Sequence, residues 1–120
     1  MTDQLVAQYT KRIQHYAQFQ IKAIKDESAS ILYPKAFRIA VDPRGKQMTS
    51  EELAQLLERT SREIVFFIGG PDGFSDTLRT HADRLVSLSK MTLSHELSRV
   101  VLVEQIYRAF TILRNHPYPR

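Results

Sequence analysis

The chain contains an unbroken run of five apolar residues, IVFFI, from Ile64 to Ile68. Branched and aromatic side chains without polar alternation predict a strand that is covered on both faces, as in the parallel sheet of an α/β domain. Two further strands are predicted at AFRIAV, residues 36–41, and RLVSLS, residues 84–89. FQIKAIK, residues 19–25, alternates for most of its length and predicts a strand with one better-covered face.

Between the strands, apolar residues recur at helical spacing. An amphipathic helix is expected from about Asp3 to Ala17, and its stripe consists of Val6, Tyr9, Ile13 and Tyr16. The sequence DPRG, residues 42–45, favours a type I turn after the strand at 36–41. Thr49 and Glu52 form a capping box that opens a second helix, and the residues expected to face inward are Leu53, Leu56 and Leu57. A short helix is expected from about Ser75 to Asp83.

The last predicted helix, from about Leu93 to Arg114, has a wider apolar surface than the others. One stripe consists of Val100, Val103, Tyr107 and Phe110, and the adjoining stripe consists of Leu102, Ile106, Ala109 and Leu113. Because a surface helix needs only one stripe, the second predicts a further contact. A homodimer partner is the simplest candidate, and a helix deeply buried in a single core is the alternative.

Strands that alternate with helices along the whole chain predict an α/β fold with a mostly parallel sheet. At 120 residues the chain is expected to form a single domain. It has no apolar stretch of membrane-spanning length, no secretory signal and no cysteine, so we expect a cytoplasmic protein without disulfides or thiolate metal sites. The net charge of +4 is only a weak indication of a polyanionic partner such as RNA.

The strand at IVFFI ends in the loop GGPDG, which is nearly free of large side chains. Ligands of parallel sheets collect at the carboxyl ends of strands, and glycine lets the backbone approach a small molecule. A cofactor pocket is therefore one interpretation, and a plain tight turn is the other. The loop does not match GxGxxG or GxxxxGK[ST], so neither a dinucleotide fold nor a phosphate loop is supported.

A second loop, LSKMTLSHELSR from Leu88 to Arg99, lies where a strand passes into the last helix, so we expect it at the same sheet edge. His95 and Arg99 are one helical turn apart and share a face. Such a pair can deprotonate or hold an anionic substrate, although it also arises often by chance. The other histidines have no partner at ligand spacing, so no metal site is expected. Glu104 and Arg108 are expected to form an ordinary exposed ion pair.

Three segments together resemble the bacterial RlmH family, the pseudouridine N3-methyltransferases of 23S ribosomal RNA within the SPOUT superfamily. They are DPRGKQMTSEELA, FFIGGPDGFS and SLSKMTLSHELSRVVLVEQIYRAFTILRNHPY. The resemblance extends from about Phe37 to Tyr118 and is loose over the first 36 residues. The family's usual opening strand has no counterpart, the connection between Lys25 and Ala36 is shorter than the family's, and Pro119 stands where the family commonly has histidine.

The resemblance implies a SPOUT-type sheet with helices on both faces, a C-terminal trefoil knot, a homodimer, and S-adenosylmethionine bound among the knot loops. The cofactor-binding positions that it implies are Val41, Gly69, Gly70, Leu88, Ser89, Lys90, Met91, Thr92 and Leu93. It also implies a polar pair at His95 and Arg99 that orients substrate RNA, with Tyr118 completing the active site.

The expected function is therefore methyl transfer to N3 of a pseudouridine in large-subunit ribosomal RNA of the assembled ribosome. The enzyme must align nitrogen, methyl carbon and sulfur and remove the imide proton. His95 is the candidate base and Arg99 the candidate anchor for phosphate or the developing anion. The alternative is a non-catalytic RNA-binding or ribosome-assembly module that retained the knotted dimer.

Overall fold

A computed structural model describes residues 1–21, 33–69 and 76–118 of the chain. The helices and strands in these ranges are α1 Thr2–Ile13, β1 Phe37–Gln47, α2 Ser50–Arg59, β2 Ile64–Ile68, α3 Asp76–His81, β3 Arg84–Ser87 and α4 His95–Leu113. The alternation of strands and helices confirms the α/β class. Residues 19–21 take no strand conformation, and the rest of the strand predicted at 19–25 lies outside the described residues.

The three described strands form a parallel sheet in the order β2-β1-β3. Phe37 to Val41 pair with Ile64 to Ile68 on one side, and Ile39 to Val41 pair with Arg84 to Val86 on the other. Successive residues of the central strand, Ile39 and Ala40, are both fully buried, so β1 is covered on both faces. IVFFI forms the predicted strand, but among the described strands it is an edge strand, and only Phe67 of its five residues is buried.

The segment DPRG is not the end of a strand. β1 continues to Gln47, and Val41 and Lys46 both pair with Val86, so residues 42–45 bulge out of the ladder. Asp42 turns the chain by accepting a hydrogen bond of 2.8 Å from the Arg44 N–H. Gly45 is required because a Cβ atom there would lie 2.5 Å from the backbone of Leu85 and Val86.

The start of α2 agrees with the prediction. Thr49 Oγ1 accepts the Glu52 N–H at 3.0 Å, and Glu52 Oε1 accepts the Thr49 N–H at 2.8 Å, which completes the capping box. Leu53 and Leu56 are buried as predicted, and Leu57 is half-buried. At the start of α4, the Ser94 hydroxyl accepts the Leu97 N–H. No described helix is long and apolar enough to cross a membrane.

α4 lies between α1 and α2, and these two helices cover its two apolar stripes. Val103 and Tyr107 pack with Val6 and Ile13 of α1. On the other side, Ala109 packs with Leu53 and Ala54 of α2, and Phe66 of the sheet contacts both groups. The interpretation that the second stripe needs a partner chain is therefore wrong for the described residues, and the buried-helix alternative is correct. The homodimer stays a prediction without support from these stripes.

Candidate active site at the carboxyl edge of the sheet

The candidate site lies where the three parallel strands end. Val41 pairs with Ile68 and with Val86, so Gly69 and Leu88 follow the partners of Val41 within one or two residues. Because parallel strands have their carboxyl ends at one edge, the glycine loop and the loop at 88–93 begin at the same edge, on either side of β1. This confirms the prediction that both loops start at one edge of the sheet. Gly70 and the rest of GGPDG lie outside the described residues.

The loop at 88–93 is shaped by two serines. Ser87 Oγ donates to the Ser89 carbonyl at 2.8 Å, and Ser89 Oγ accepts the Met91 N–H at 2.9 Å. These bonds turn the loop back on itself. Lys90, Met91 and Thr92 are exposed at its tip, whereas Leu88, Ser89 and Leu93 are half-buried. The predicted cofactor residues therefore form a short tight loop with its backbone held by its own hydroxyl groups.

His95 connects the two loops. It is the first residue of α4, and its Nδ1 lies 2.8 Å from the Gly69 carbonyl oxygen. A carbonyl only accepts hydrogen bonds, so Nδ1 carries the proton in the neutral ring and Nε2 is left with a free lone pair. The imidazole is exposed. Its Nε2 is therefore an available proton acceptor near Gly69, the residue that follows β2.

Arg99 lies one turn further along α4, as predicted, but its guanidinium is already paired. Nη1 lies 3.2 Å from Asp3 Oδ1 on α1 and 3.3 Å from Glu96 Oε2 on α4. Thr2 Oγ1 donates to the same Glu96 oxygen at 2.7 Å. Arg99 thus connects the amino ends of α1 and α4. A substrate phosphate would have to compete with these two carboxylates for the guanidinium.

Tyr118 is not close to His95 in the same chain. After α4 the chain reverses at Asn115, which has a φ of 52°, and Tyr118 packs back along the helix. Its hydroxyl donates to Glu104 Oε2 at 2.9 Å, and its ring meets that of Tyr107 edge-on with centroids 4.9 Å apart. Glu104 is nine residues beyond His95, so about 14 Å of helix separates the two candidates.

The surroundings of Tyr118 keep its hydroxyl protonated. Burial and hydrogen bonds with Tyr9 and Glu104 raise the pKa of Tyr118 well above its usual value. The guanidinium of Arg108 lies over its ring, 4.5 Å from the centroid. The prediction that Glu104 and Arg108 form an ordinary exposed pair is therefore wrong. Their side chains are about one-fifth exposed. Glu104 also accepts a hydrogen bond from Tyr118 of the C-terminal tail, 14 residues further along the chain.

A cavity of about 260 Å³ lies at the start of the loop at 88–93, between the sheet and the helices α2 and α4. Val41 and Leu88, two of the predicted cofactor residues, form part of its wall. Ser50 and Gln105 contribute polar groups that sequence reasoning did not select. Nothing local singles them out, because they come together only when α2 packs on α4. Among the described residues, no three His, Asp or Glu side chains are grouped as a metal site requires.

The described residues form a parallel sheet with a histidine near the carboxyl ends of its strands, and open α/β sheets bind their ligands at that edge. The sequence profile of the family described as "Predicted SPOUT methyltransferase" matches residues 1–119. The chain belongs to this family of SPOUT methyltransferases.

Curated relatives make the assignment more specific. The chain is 40% identical over 132 residues to "Ribosomal RNA large subunit methyltransferase H" of Geobacter sulfurreducens, a match that covers 94% of this chain and 86% of the relative. Proteins of the same name from Coprothermobacter proteolyticus and Solibacter usitatus are 41% and 44% identical. Those matches cover 94% and 93% of this chain and 85% and 84% of the relatives. The resemblance to the RlmH family is thereby confirmed.

Proposed function

We propose that this protein uses S-adenosylmethionine to methylate N3 of a pseudouridine in 23S ribosomal RNA of the assembled ribosome. Its family and the name of its relatives support a methyltransferase of large-subunit ribosomal RNA. The observation that carries the proposal is the contact between His95 Nδ1 and the Gly69 carbonyl, which ties a candidate base to the candidate cofactor edge. A ribosomal substrate implies a cytoplasmic protein.

The residues that would hold the cofactor are those at the carboxyl edge of the sheet. Val41, Gly69 and Leu88 lie at neighbouring strand ends there, and the loop that follows Leu88 is turned by the hydrogen bond from the Met91 N–H to Ser89 Oγ. The adjoining cavity has walls that suit the less polar part of a nucleoside. When bound, S-adenosylmethionine supplies a methyl group on a cationic sulfur. Gly70 belongs to the proposed set by resemblance and lies outside the described residues.

His95 would act as the general base. The Gly69 carbonyl holds the proton on Nδ1, so Nε2 would be free to accept the imide proton from N3 of the target base. General base assistance of this kind contributes about 100- to 10,000-fold in rate. The protein otherwise contributes alignment, because holding the two reactants in the reactive geometry removes the entropic cost of bringing them together during the reaction.

Arg99 would hold an RNA phosphate or the developing anion. Asp3 is largely exposed, with 85% of its side chain accessible, so its ion pair with Arg99 is weak and exchangeable. A phosphate offers oxygens that can replace those of Asp3 and Glu96 on the guanidinium. The existing contacts keep Arg99 beside the start of α4 until RNA arrives.

Tyr118 belongs to the proposed active site only through a second copy of the chain or a displaced tail. In its own chain it is held by Glu104, about 14 Å of helix away from His95. The homodimer and the trefoil knot, both implied by the RlmH resemblance, therefore remain parts of this proposal. A dimer that places one tail beside the other copy's His95 would complete the site.

The proposal is tested by methyl transfer from radiolabelled S-adenosylmethionine to ribosomes and to isolated large subunits from cells that lack this modification. Wild type is expected to label one pseudouridine, and His95→Ala is expected to lose nearly all of that activity while keeping cofactor affinity. A matched control is His15→Ala, because His15 is exposed on the turn after α1. A wild-type protein that binds neither cofactor nor product would point instead to a non-catalytic ribosome-binding module.

A further inference from the structure

The cavity at the start of the loop at 88–93 has no charged side chain among the described residues that line it. Strand residues Val41 and Val86 form its floor, α2 contributes Ser50 and Leu53, and α4 contributes Leu102 and Gln105. Its volume of about 260 Å³ lies just below the roughly 300–1,000 Å³ of sites that hold a whole drug-sized ligand. It therefore suits one part of the cofactor rather than all of it.

The lack of charge decides which part fits. The methionine end of S-adenosylmethionine carries a carboxylate, an ammonium and a sulfonium, and burying such groups without partners is costly. The adenine ring is flat and neutral, and apolar walls such as those of Leu53, Leu102 and Phe66 can cover its faces. Its polar edge still requires hydrogen-bond partners, since an unpaired buried polar group costs free energy.

Most hydroxyl groups of the cavity are already engaged. Thr49 Oγ1 accepts the Glu52 N–H in the capping box, and Ser87 Oγ donates to the Ser89 carbonyl. Ser50 Oγ donates its hydrogen to Gln105 Oε1. Each of these three hydroxyls already makes a hydrogen bond within the protein, and the amide of Gln105 is the largest polar group of the wall.

The amide of Gln105 is held in one orientation. Its Nε2 donates to Glu104 Oε1 at 2.9 Å, and its Oε1 accepts from Ser50. Glu104 forms an ion pair with Arg108 at 2.8 Å, so its oxygens only accept, and the nitrogen end of the amide must face Glu104. A primary amide has two N–H groups and two lone pairs on oxygen. One N–H group and one oxygen lone pair of the Gln105 amide therefore remain for a ligand.

We propose that Gln105 is the residue that recognises the adenine base of the cofactor, an inference that rests on the function proposed above. A glutamine amide pairs with adenine through one donated and one accepted hydrogen bond, as it does with the N6 and N7 atoms of adenine in DNA. Ser50 and Glu104 are positioning residues, because they fix which end of the amide meets which atom of the base.

The test measures base discrimination rather than affinity alone. Calorimetry compares S-adenosylhomocysteine with S-inosylhomocysteine, in which an oxygen replaces the amino group at C6. A bidentate amide–adenine pair discriminates by about 1–3 kcal/mol, so wild type is expected to prefer the adenine ligand by roughly 5- to 150-fold. Gln105→Met keeps the length of the side chain and removes both hydrogen bonds, so its preference is expected to fall to within about threefold.

Two further variants separate base recognition from general damage. Ser50→Ala leaves the amide in place but frees its oxygen, and it is expected to reduce the preference partially. Gln55→Met makes the same chemical change at an exposed position of α2 and is expected to keep the wild-type preference. Thermal melts establish whether each variant is folded. If Gln105→Met does not fold, the test depends on Ser50→Ala.

The outcomes distinguish this inference from the proposed function. If wild type binds S-adenosylhomocysteine and both cavity variants keep its full preference for adenine, the role of Gln105 is refuted while the methyltransferase proposal stands. If wild type binds neither ligand, the proposed function is refuted and the role of Gln105 with it. A preference lost in Gln105→Met, reduced in Ser50→Ala and kept in Gln55→Met supports the inference.

Discussion

The ion pair between Asp42 and Arg79 offers the sharpest test of the fold beside the candidate site. Asp42 follows Val41 in the bulge of β1 and is only 3% exposed. Its Oδ2 lies 2.9 Å from Arg79 Nε on α3, and its Oδ1 accepts the Arg44 N–H. The substitution Asp42→Asn removes the charge and leaves an oxygen for the Arg44 N–H, so it isolates the ion pair.

The expected destabilisation is about 2 kcal/mol. Removing one partner of a buried ion pair typically costs about 3–5 kcal/mol because the other charge is left uncompensated. The Arg79 side chain is 19% exposed and makes a further interaction, so part of its charge remains solvated or paired. For a domain of 120 residues, 2 kcal/mol corresponds to a decrease of about 8 °C in the melting temperature.

The pH dependence has a defined sign. Burial alone would raise the pKa of Asp42, but the Arg44 N–H, the hydrogen bond from Arg79 and its charge outweigh burial and lower the pKa below its ordinary value. The unfolded chain therefore binds this proton at higher pH than the native chain does. The contribution of Asp42 is fully present above the unfolded pKa of about 3.9 and is lost as the pH falls through the lower native pKa.

Chemical denaturation at several pH values measures both effects. The difference in unfolding free energy between wild type and Asp42→Asn should be constant from about pH 6 to 8 and should shrink below about pH 4. Asp3→Asn is the matched control, because Asp3 also pairs with an arginine but is exposed, and its loss should cost less than about 1 kcal/mol. Equal costs for Asp42→Asn and Asp3→Asn at neutral pH would refute the reasoning.

Three further predictions concern the site and the assembly. Gly69→Val places a branched side chain at the end of β2 and should abolish S-adenosylmethionine binding in calorimetry without changing the circular dichroism spectrum; unchanged affinity would refute the pocket. Tyr118→Phe removes the hydroxyl between Tyr9 and Glu104 and should lower the unfolding free energy by about 1–2 kcal/mol in denaturant titrations, and no change would mean that the tail is not held. Light scattering should report a dimer at micromolar concentration, whereas a monomer would count against a site shared between two copies.

The elements that the sequence predicted well are those whose causes lie within a few residues. The capping box needs only Thr49 and Glu52, three positions apart, and its two hydrogen bonds form as soon as the helix starts. IVFFI predicted a strand because branched and aromatic residues favour the extended conformation, although its expected cover on both faces is not found among the described residues. The two loops could be placed at one edge because parallel strands all point the same way. The resemblance to the RlmH family likewise rests on the order of short segments along the chain.

The errors arose where distant parts of the chain supply the partner. β1 continues to Gln47 because the backbone of Lys46 and Gln47 finds hydrogen-bond partners in β3, about 40 residues later. No local pattern at DPRG, which by itself favours a turn, contains that information. The two stripes of α4 predicted that the helix is covered on two sides, but not that α1 and α2 of the same chain cover it. Hydrophobic burial has no direction, so a stripe does not specify its partner.

The chemistry of the site divides in the same way. The sequence by itself placed His95 near the amino end of a helix that follows a small-residue loop, because helical spacing is a local property. Only the tertiary structure decided which ring nitrogen of His95 donates a hydrogen bond, since its acceptor, the Gly69 carbonyl, is 26 residues away. It also placed Tyr118 on Glu104 and brought Ser50 to Gln105 across 55 residues. Hydrogen bonds act over about 3 Å, so these partners exist only after the whole chain has packed.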